Sequence, residues 1–334
     1  MPGSFRPEAA DGVWRTCLRQ RDELVGTRSA HCQHMQKALL QMNIPLPQVR
    51  SDVAGVSGLA ISDALLKGER DPARLAALVD RRVRATAATL QQALPGDYRA
   101  EPLLVRRQAC ELYNTDDAHL NAWDEQIVRA TASLPAKVDP ALKPLPARKP
   151  GRRACHDKMA GVDRRPELPE KFGVDLTGME GIGVLTALIL LTEVGPNVSR
   201  FHSEKPFCSW LGLCPDNRIS GGKVLSRRTR RVVNRAADAL RMAASSLDRS
   251  QTALGGFARR MKARLGAAEG ITATAHKLAR IVYRLLKHGE ACVRQGLAAY
   301  EKKFAERKLH ALQKTATAMG FELVQKQTLP SAVS

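Results

Sequence analysis

The chain has 334 residues, enough for two domains of ordinary size with a core in each. With 53 Lys and Arg against 33 Asp and Glu it carries a net charge of +20, and aromatic residues make up only 4%. Charge of that size is self-repelling without a polyanion, so nucleic acid is the first partner class and a membrane surface the second, while scarce aromatics favour helices packed through Leu, Val and Ala.

No basic stretch followed by an apolar one opens the chain. The longest apolar run, Ile182 to Leu191, is about half of a membrane span. The reading is therefore cytoplasmic, with no membrane partner. The seven cysteines form no CxxC pair and no zinc-like spacing. Cys208 and Cys214, the nearest to each other, read as buried thiols.

From Trp14 to Met42 apolar residues recur every three and four positions. Leu18, Val25, Cys32 and Leu39 form one seam position; Trp14, Met35 and Met42 form the other, interrupted by Arg21 and Arg28. This heptad pattern predicts a long helix paired with another, either an antiparallel segment of the same chain or a second copy. Pro45 and Pro47 end it. A short helix ending near Gly68 follows. The next is capped by Asp71, has Pro72 in its first turn, and buries Leu75, Leu78, Val79, Val83, Leu90 and Leu94. Two more helices are expected, one from Leu103 to Tyr113 and one from Asp116 to Ser133. No strand-length alternation precedes residue 134, so residues 1–134 read as a helical, coiled-coil-like region. Prolines 135, 140, 144, 146 and 150 among Lys and Arg mark a basic linker, assigned to residues 135–174. The second domain is assigned to 175–295 and a helical tail to 296–334.

Met179-Glu180-Gly181-Ile182-Gly183-Val184, ahead of an apolar run, has the form of a helix-hairpin-helix. Gly181 and Gly183 allow a tight turn, and the free N–H groups opening the next helix, Thr186 to Val194, suit a DNA phosphate. An ordinary core corner is the plain alternative. Ser203 is placed to cap the following helix, whose Phe207, Trp210 and Leu211 read as core. Then comes Arg218-Ile219-Ser220-Gly221-Gly222-Lys223. A serine before two glycines sits on flexible, exposed backbone, where its hydroxyl reaches a phosphate and Arg218 and Lys223 offset charge. No histidine or carboxylate base stands beside it in sequence, which leaves a plain turn as the other reading.

From Arg227 onward, Val233, Ala237, Leu240, Ala244 and Leu247 define one helix face and Arg228, Arg231 and Arg235 another. Between Arg218 and Arg241 eight residues are basic and only Asp238 is acidic. Arg227, Arg228, Arg231 and Arg235 therefore join Gly181, Gly183, Arg218 and Lys223 as expected DNA contacts.

Four stretches within residues 176–289 carry a family resemblance: LTGMEGIGVLTALILLTEVG, SRFHSEKPFCSWLGLCPDNRISGGKVLS, NRAADALRMAASSL and ATAHKLARIVYRLLKHG. They resemble the C-terminal domain of bacterial insertion-sequence transposases of the IS-one-ten type, also labelled with the IS-one-one-six and IS-nine-oh-two elements. HMQKALLQMNIPL and GERDPARLAALVD are similar to that family's helical middle region. The resemblance implies a DNA-cleaving and DNA-joining enzyme in two parts. One is a RuvC-like domain whose four acidic residues bind metal; the other is a C-terminal domain whose SG motif carries a nucleophilic serine. That motif is here Ser220-Gly221, so Ser220 is the implied nucleophile, forming a phosphoserine link to DNA. A bridge RNA guide and homo-oligomeric assembly are implied as well.

In the family the acidic domain precedes the helical region, with which this chain opens. The expectation is a truncated copy without that domain, holding no metal or cofactor of its own because Mg²⁺ belongs to the missing part. Such a chain binds nucleic acid without recombining it. The alternatives are a non-catalytic DNA-binding remnant or regulator, and a helical scaffold with a coiled-coil interface. The fold expected is mainly α: the coiled-coil-like region, then an all-helical domain with a helix-hairpin-helix.

Overall fold

The computed structural model describes residues 11–49, 53–80, 86–133, 136–138, 158–159, 162–195, 197–226, 228–230 and 232–323. Val83, Arg227, Arg231 and most of the proline-rich stretch lie outside the described residues. The protein is mainly α, and its contacts divide it into one unit of residues 13–133 and another made of the remainder of the chain.

The first unit is framed by two long helices, α1 (Asp11–Gln41) and α6 (Ala100–Ala132). They run antiparallel, because rising numbers on one meet falling numbers on the other. Arg21 pairs with Asp124, Arg28 with Asp117, His31 with Asp116 and Met35 with Cys110. The expected heptad helix thus finds its partner within the chain. The two arginines that interrupt its seam meet two aspartates with the same seven-residue spacing.

Between the long helices lie α2 (Leu46–Val49), α3 (Val56–Leu66), α4 (Pro72–Ala77) and α5 (Ala87–Gln92). Leu39, Met42, Ile44, Leu46, Ile61, Leu65, Leu75 and Leu94 form their shared core. Asn43 leaves α1 in the left-handed region at φ +57°. Asp71 caps α4 as expected, accepting from the Ala73 N–H at 2.9 Å.

Two boundaries differ from the sequence reading. The helix expected from Asp71 to Leu94 stops at Ala77, where Asp80 donates its N–H to Ser57 Oγ at 3.0 Å; Thr86 then caps a separate α5. The two helices expected between Leu103 and Ser133 are one. No Gly or Pro interrupts that stretch, and Thr115 bonds back to the Glu111 carbonyl without breaking the helix.

The second unit opens with a small hairpin, β1 (Lys158–Met159) and β2 (Val162–Asp163), then α7 (Glu167–Phe172) and a single 3₁₀ turn at Leu176–Gly178. Part of the expected linker is therefore structured, with Met159, Leu168 and Phe172 buried. The apolar α8 (Val184–Val194) packs on α10 (Arg235–Ser246). That helix packs in turn on α12 (Ala267–Ala318), which also meets α9 (Glu204–Trp210) and α11 (Ala253–Leu265). Ser203 stands at the N-cap of α9, but its side chain makes no cap bond. Phe207 is fully buried in a ring cluster with Phe201, Trp210 and Tyr283; Phe207 and Leu211 are core as expected, while Trp210 is half-buried.

Gly289 breaks α12 with φ +78° and ψ −179°. A straight helix would hold Lys277 and Tyr300 about 35 Å apart. The Lys277 ammonium instead lies 4.0 Å from the Tyr300 ring centre, so the second limb folds back along the first. Glu301 on that limb accepts the Ala253 N–H and closes the start of α11.

The later basic residues are partly structural. Arg280 and Arg284 both hold Glu204, Lys262 holds Asp248, and Arg259 donates to the Asp248 carbonyl.

Candidate nucleic-acid interface

Between α9 and α10 the chain runs out and back as a two-stranded ribbon, β3 (Arg218–Ser220) and β4 (Lys223–Ser226). The expectation of an all-helical domain with a flexible serine loop is corrected here. Pro215 bridges to Thr229 at the base, and the Asp216 N–H donates to the Arg228 carbonyl at 2.9 Å. Arg218 then pairs with Ser226, Ile219 with Val224 and Ser220 with Lys223. The register shift leaves Leu225 as an extra residue in β4.

Gly221 and Gly222 make the turn with φ of +55° and +75°. Positive φ at both positions is the two-residue geometry that follows the twist of the strands. The signal was in the sequence: RIS and KVLS are short runs around a Gly-Gly pair. At the base, Gly212 has φ +68°, and a Cβ there would meet the Val232 side chain at 2.9 Å. The returning chain lies flush against the end of α9.

Alternation and register put Ser220, its partner Lys223, Arg218 and its partner Ser226 on one face. Partners across such a ribbon lie about 5 Å apart and residues two along about 7 Å. The Ser220 hydroxyl therefore has one cation opposite and another alongside, at the span of a phosphate group. β3, both glycines and Lys223 are all exposed. Asp216, the nearest carboxylate along the ribbon, is drawn to Arg230 at 3.4 Å.

The arginine-rich helix face is also corrected. Asn234 caps α10, accepting the Ala237 N–H at 3.2 Å, so the helix begins only at Arg235. Arg228 belongs to the ribbon base, and Val233, expected in the helix core, is fully exposed ahead of the helix. Ala237, Leu240, Ala244 and Leu247 are buried as expected. Arg227 and Arg231 lie outside the described residues.

Gly181 and Gly183 are not part of this cluster. Gly183 is the N-cap of α8 and offers no side-chain bond. Gly181, at φ +81°, fits against the carboxyl end of α10, where a Cβ would stand 2.8 Å from the Ala243 carbonyl oxygen. The ribbon feeds the amino end of the same helix, and Arg235 to Ala243 spans about 12 Å along the axis. Ahead of Gly181 stands one 3₁₀ turn rather than an α-helix. Glu180 is occupied by the hydroxyls of Ser250 and Thr252. Packing alone thus accounts for Gly181.

Cys208 and Cys214 are free thiols, and burial pushes Cys208 up to about 12, which keeps it neutral and inert. Among the described residues no group of three or more His, Cys, Asp and Glu could hold a metal ion. The divalent ions that the resemblance assigns to an acidic domain have no fitting set of ligands among these described residues.

The segment built around this ribbon is similar to a transposase family. Residues 175–257 match the family described as Transposase IS116/IS110/IS902 family, from Asp175 through α8, α9, the ribbon and α10 into α11. That match, over about a quarter of the chain, is a similarity to proteins of DNA transposition. No curated protein matches the chain. Among the described residues no helix is long and apolar enough to cross a membrane.

Proposed function

We propose that the ribbon is the DNA-facing element of a serine-bearing transposase and that Ser220 is the group that joins to DNA. The observation that carries this reading is an exposed serine at the tip of a tightly turned hairpin, with Lys223 opposite and Arg218 alongside. The hairpin lies inside the matched span. In the joining step the Ser220 Oγ–P bond forms as a P–O bond to deoxyribose breaks. The hydroxyl proton passes to solvent water, and the departing deoxyribose oxygen takes up a proton from water. Arg218 and Lys223 offset the negative charge that gathers on the phosphoryl oxygens. Arg228 and Arg235 extend the cationic track toward α10.

Binding without joining is the second reading for this polypeptide by itself. It is favoured by the lack, among the described residues, of a metal-holding acidic cluster. Incubation with Mg²⁺ and end-labelled duplex, followed by denaturing electrophoresis, separates the two. The binding-only reading expects no covalent adduct. An adduct abolished by Ser220→Ala establishes joining by this chain. An RNA partner and assembly into oligomers rest on the family resemblance alone.

A further inference from the structure

The cationic face is only half of the ribbon. Ile219 alternates with Ser220, so its side chain leaves on the opposite side, where it is 63% exposed. Leu225, the extra residue of β4, is 70% exposed, and Val233 on the path back to α10 has no cover at all. Branched aliphatic side chains this exposed on a hairpin leave most of their apolar surface uncovered by their own protein. The charges beside them, Arg218, Lys223 and Arg228, select a polyanion. Duplex DNA is a polyanion with an apolar interior of stacked bases, so it satisfies both faces at once.

We propose, resting on the DNA-facing reading of the ribbon, that Ile219 and Leu225 form an apolar wedge against the base stack beside the phosphate that Ser220 meets. A two-stranded ribbon is narrow enough to enter a DNA groove. With its cationic face on one phosphate backbone, the Ile219 face is turned away from that backbone and into the groove. Aliphatic wedges of this kind part adjacent bases and kink the duplex. The distortion costs least at pyrimidine–purine steps, so the wedge gives the ribbon a preference for such steps without any hydrogen bond to a base.

Short duplexes carrying 2-aminopurine beside a pyrimidine–purine step, and control duplexes without such a step, test this with the full chain. The expected result is a fluorescence rise on binding at the pyrimidine–purine step. The double variant Ile219→Ala with Leu225→Ala loses most of that rise, while its affinity keeps the parent's dependence on salt. Both side chains are exposed, so the variant folds, which circular dichroism verifies. A parent that binds DNA with no fluorescence rise, or a double variant that keeps the whole rise, overturns the wedge and leaves the cationic face standing. A parent with no salt-dependent DNA binding overturns both. Loss of self-association by the double variant in sedimentation, with the rise unchanged, overturns the wedge in favour of a protein contact.

Discussion

Gly221 and Gly222 hold Ser220 at the ribbon tip because both occupy backbone that L side chains rarely adopt. A β-branched residue there is strained by about 1–2 kcal/mol. Gly222→Val is therefore expected to open the ribbon and speed amide exchange at Asp216, whereas Gly222→Asn leaves exchange close to that of the parent. Buried charge raises a different question at Arg106, which has no exposed surface and donates to the Met35 carbonyl at 2.7 Å and to Ser62 Oγ. Burial pushes its guanidinium down to about 10, still far enough above neutrality to keep the charge. Arg106→Ala leaves both acceptors without their donor and opens a cavity, an expected loss of about 3 kcal/mol in urea unfolding. Arg106→Met fills the volume and costs less. Glu204 supplies a pH test. Burial by itself raises its pKa, but the bonds from Arg280 and Arg284 outweigh burial and hold the group below 4.5. The unfolded carboxylate takes up its proton first as pH falls, so the ion pairs stabilise fully above 4.5 and fade below it. Glu204→Gln should cost about 1 kcal/mol at neutral pH, with the difference from the parent shrinking as the pH is lowered through the acid range.

The pairing of α1 with α6 is the clearest element-scale result. Arg21 and Arg28 on one helix meet Asp124 and Asp117 on the other, which turns an interrupted seam into a registered one. Slipping the pair by a turn would take both arginines away from their aspartates. Charge reversal at Arg21 alone, Arg21→Asp, should lower the melting temperature, and adding Asp124→Arg should restore most of it. The coupling expected for a part-buried pair is about 1 kcal/mol from a double-mutant cycle. The turn before α8 gives a second comparison. Gly173 and Gly181 both have positive φ, but only Gly181 has a carbonyl oxygen where a Cβ would go. Gly173→Ala carries backbone strain of about 1 kcal/mol. Gly181→Ala adds the clash with α10 and is expected to cost about 3 kcal/mol in total, read by thermal unfolding.

At the scale of the whole molecule, the +20 charge and the matched transposase domain point to DNA, and the salt dependence of binding measures how much of that charge is engaged. Arg218→Ala and Lys223→Ala are each expected to reduce the slope of log affinity against log salt by about one. Arg280 and Arg284, held by Glu204, should change it little. Composition alone determined the helical class, because few aromatics and abundant Leu, Val and Ala fill helix interfaces. The heptads determined that α1 needs a partner helix, and residues 176–289 carried the family resemblance. Tertiary structure decided which helix that partner is, since the answering aspartates lie 89 and 103 positions away. It also decided where α10 begins: the run from Arg227 has helical spacing, but Arg228 and Thr229 are drawn into strand pairing with Asp216 and Pro215, which local periodicity does not encode. Spacing along a chain reports which side chains share a helix face only if the segment becomes a helix, and cross-strand pairing settles that only once both strands are in place.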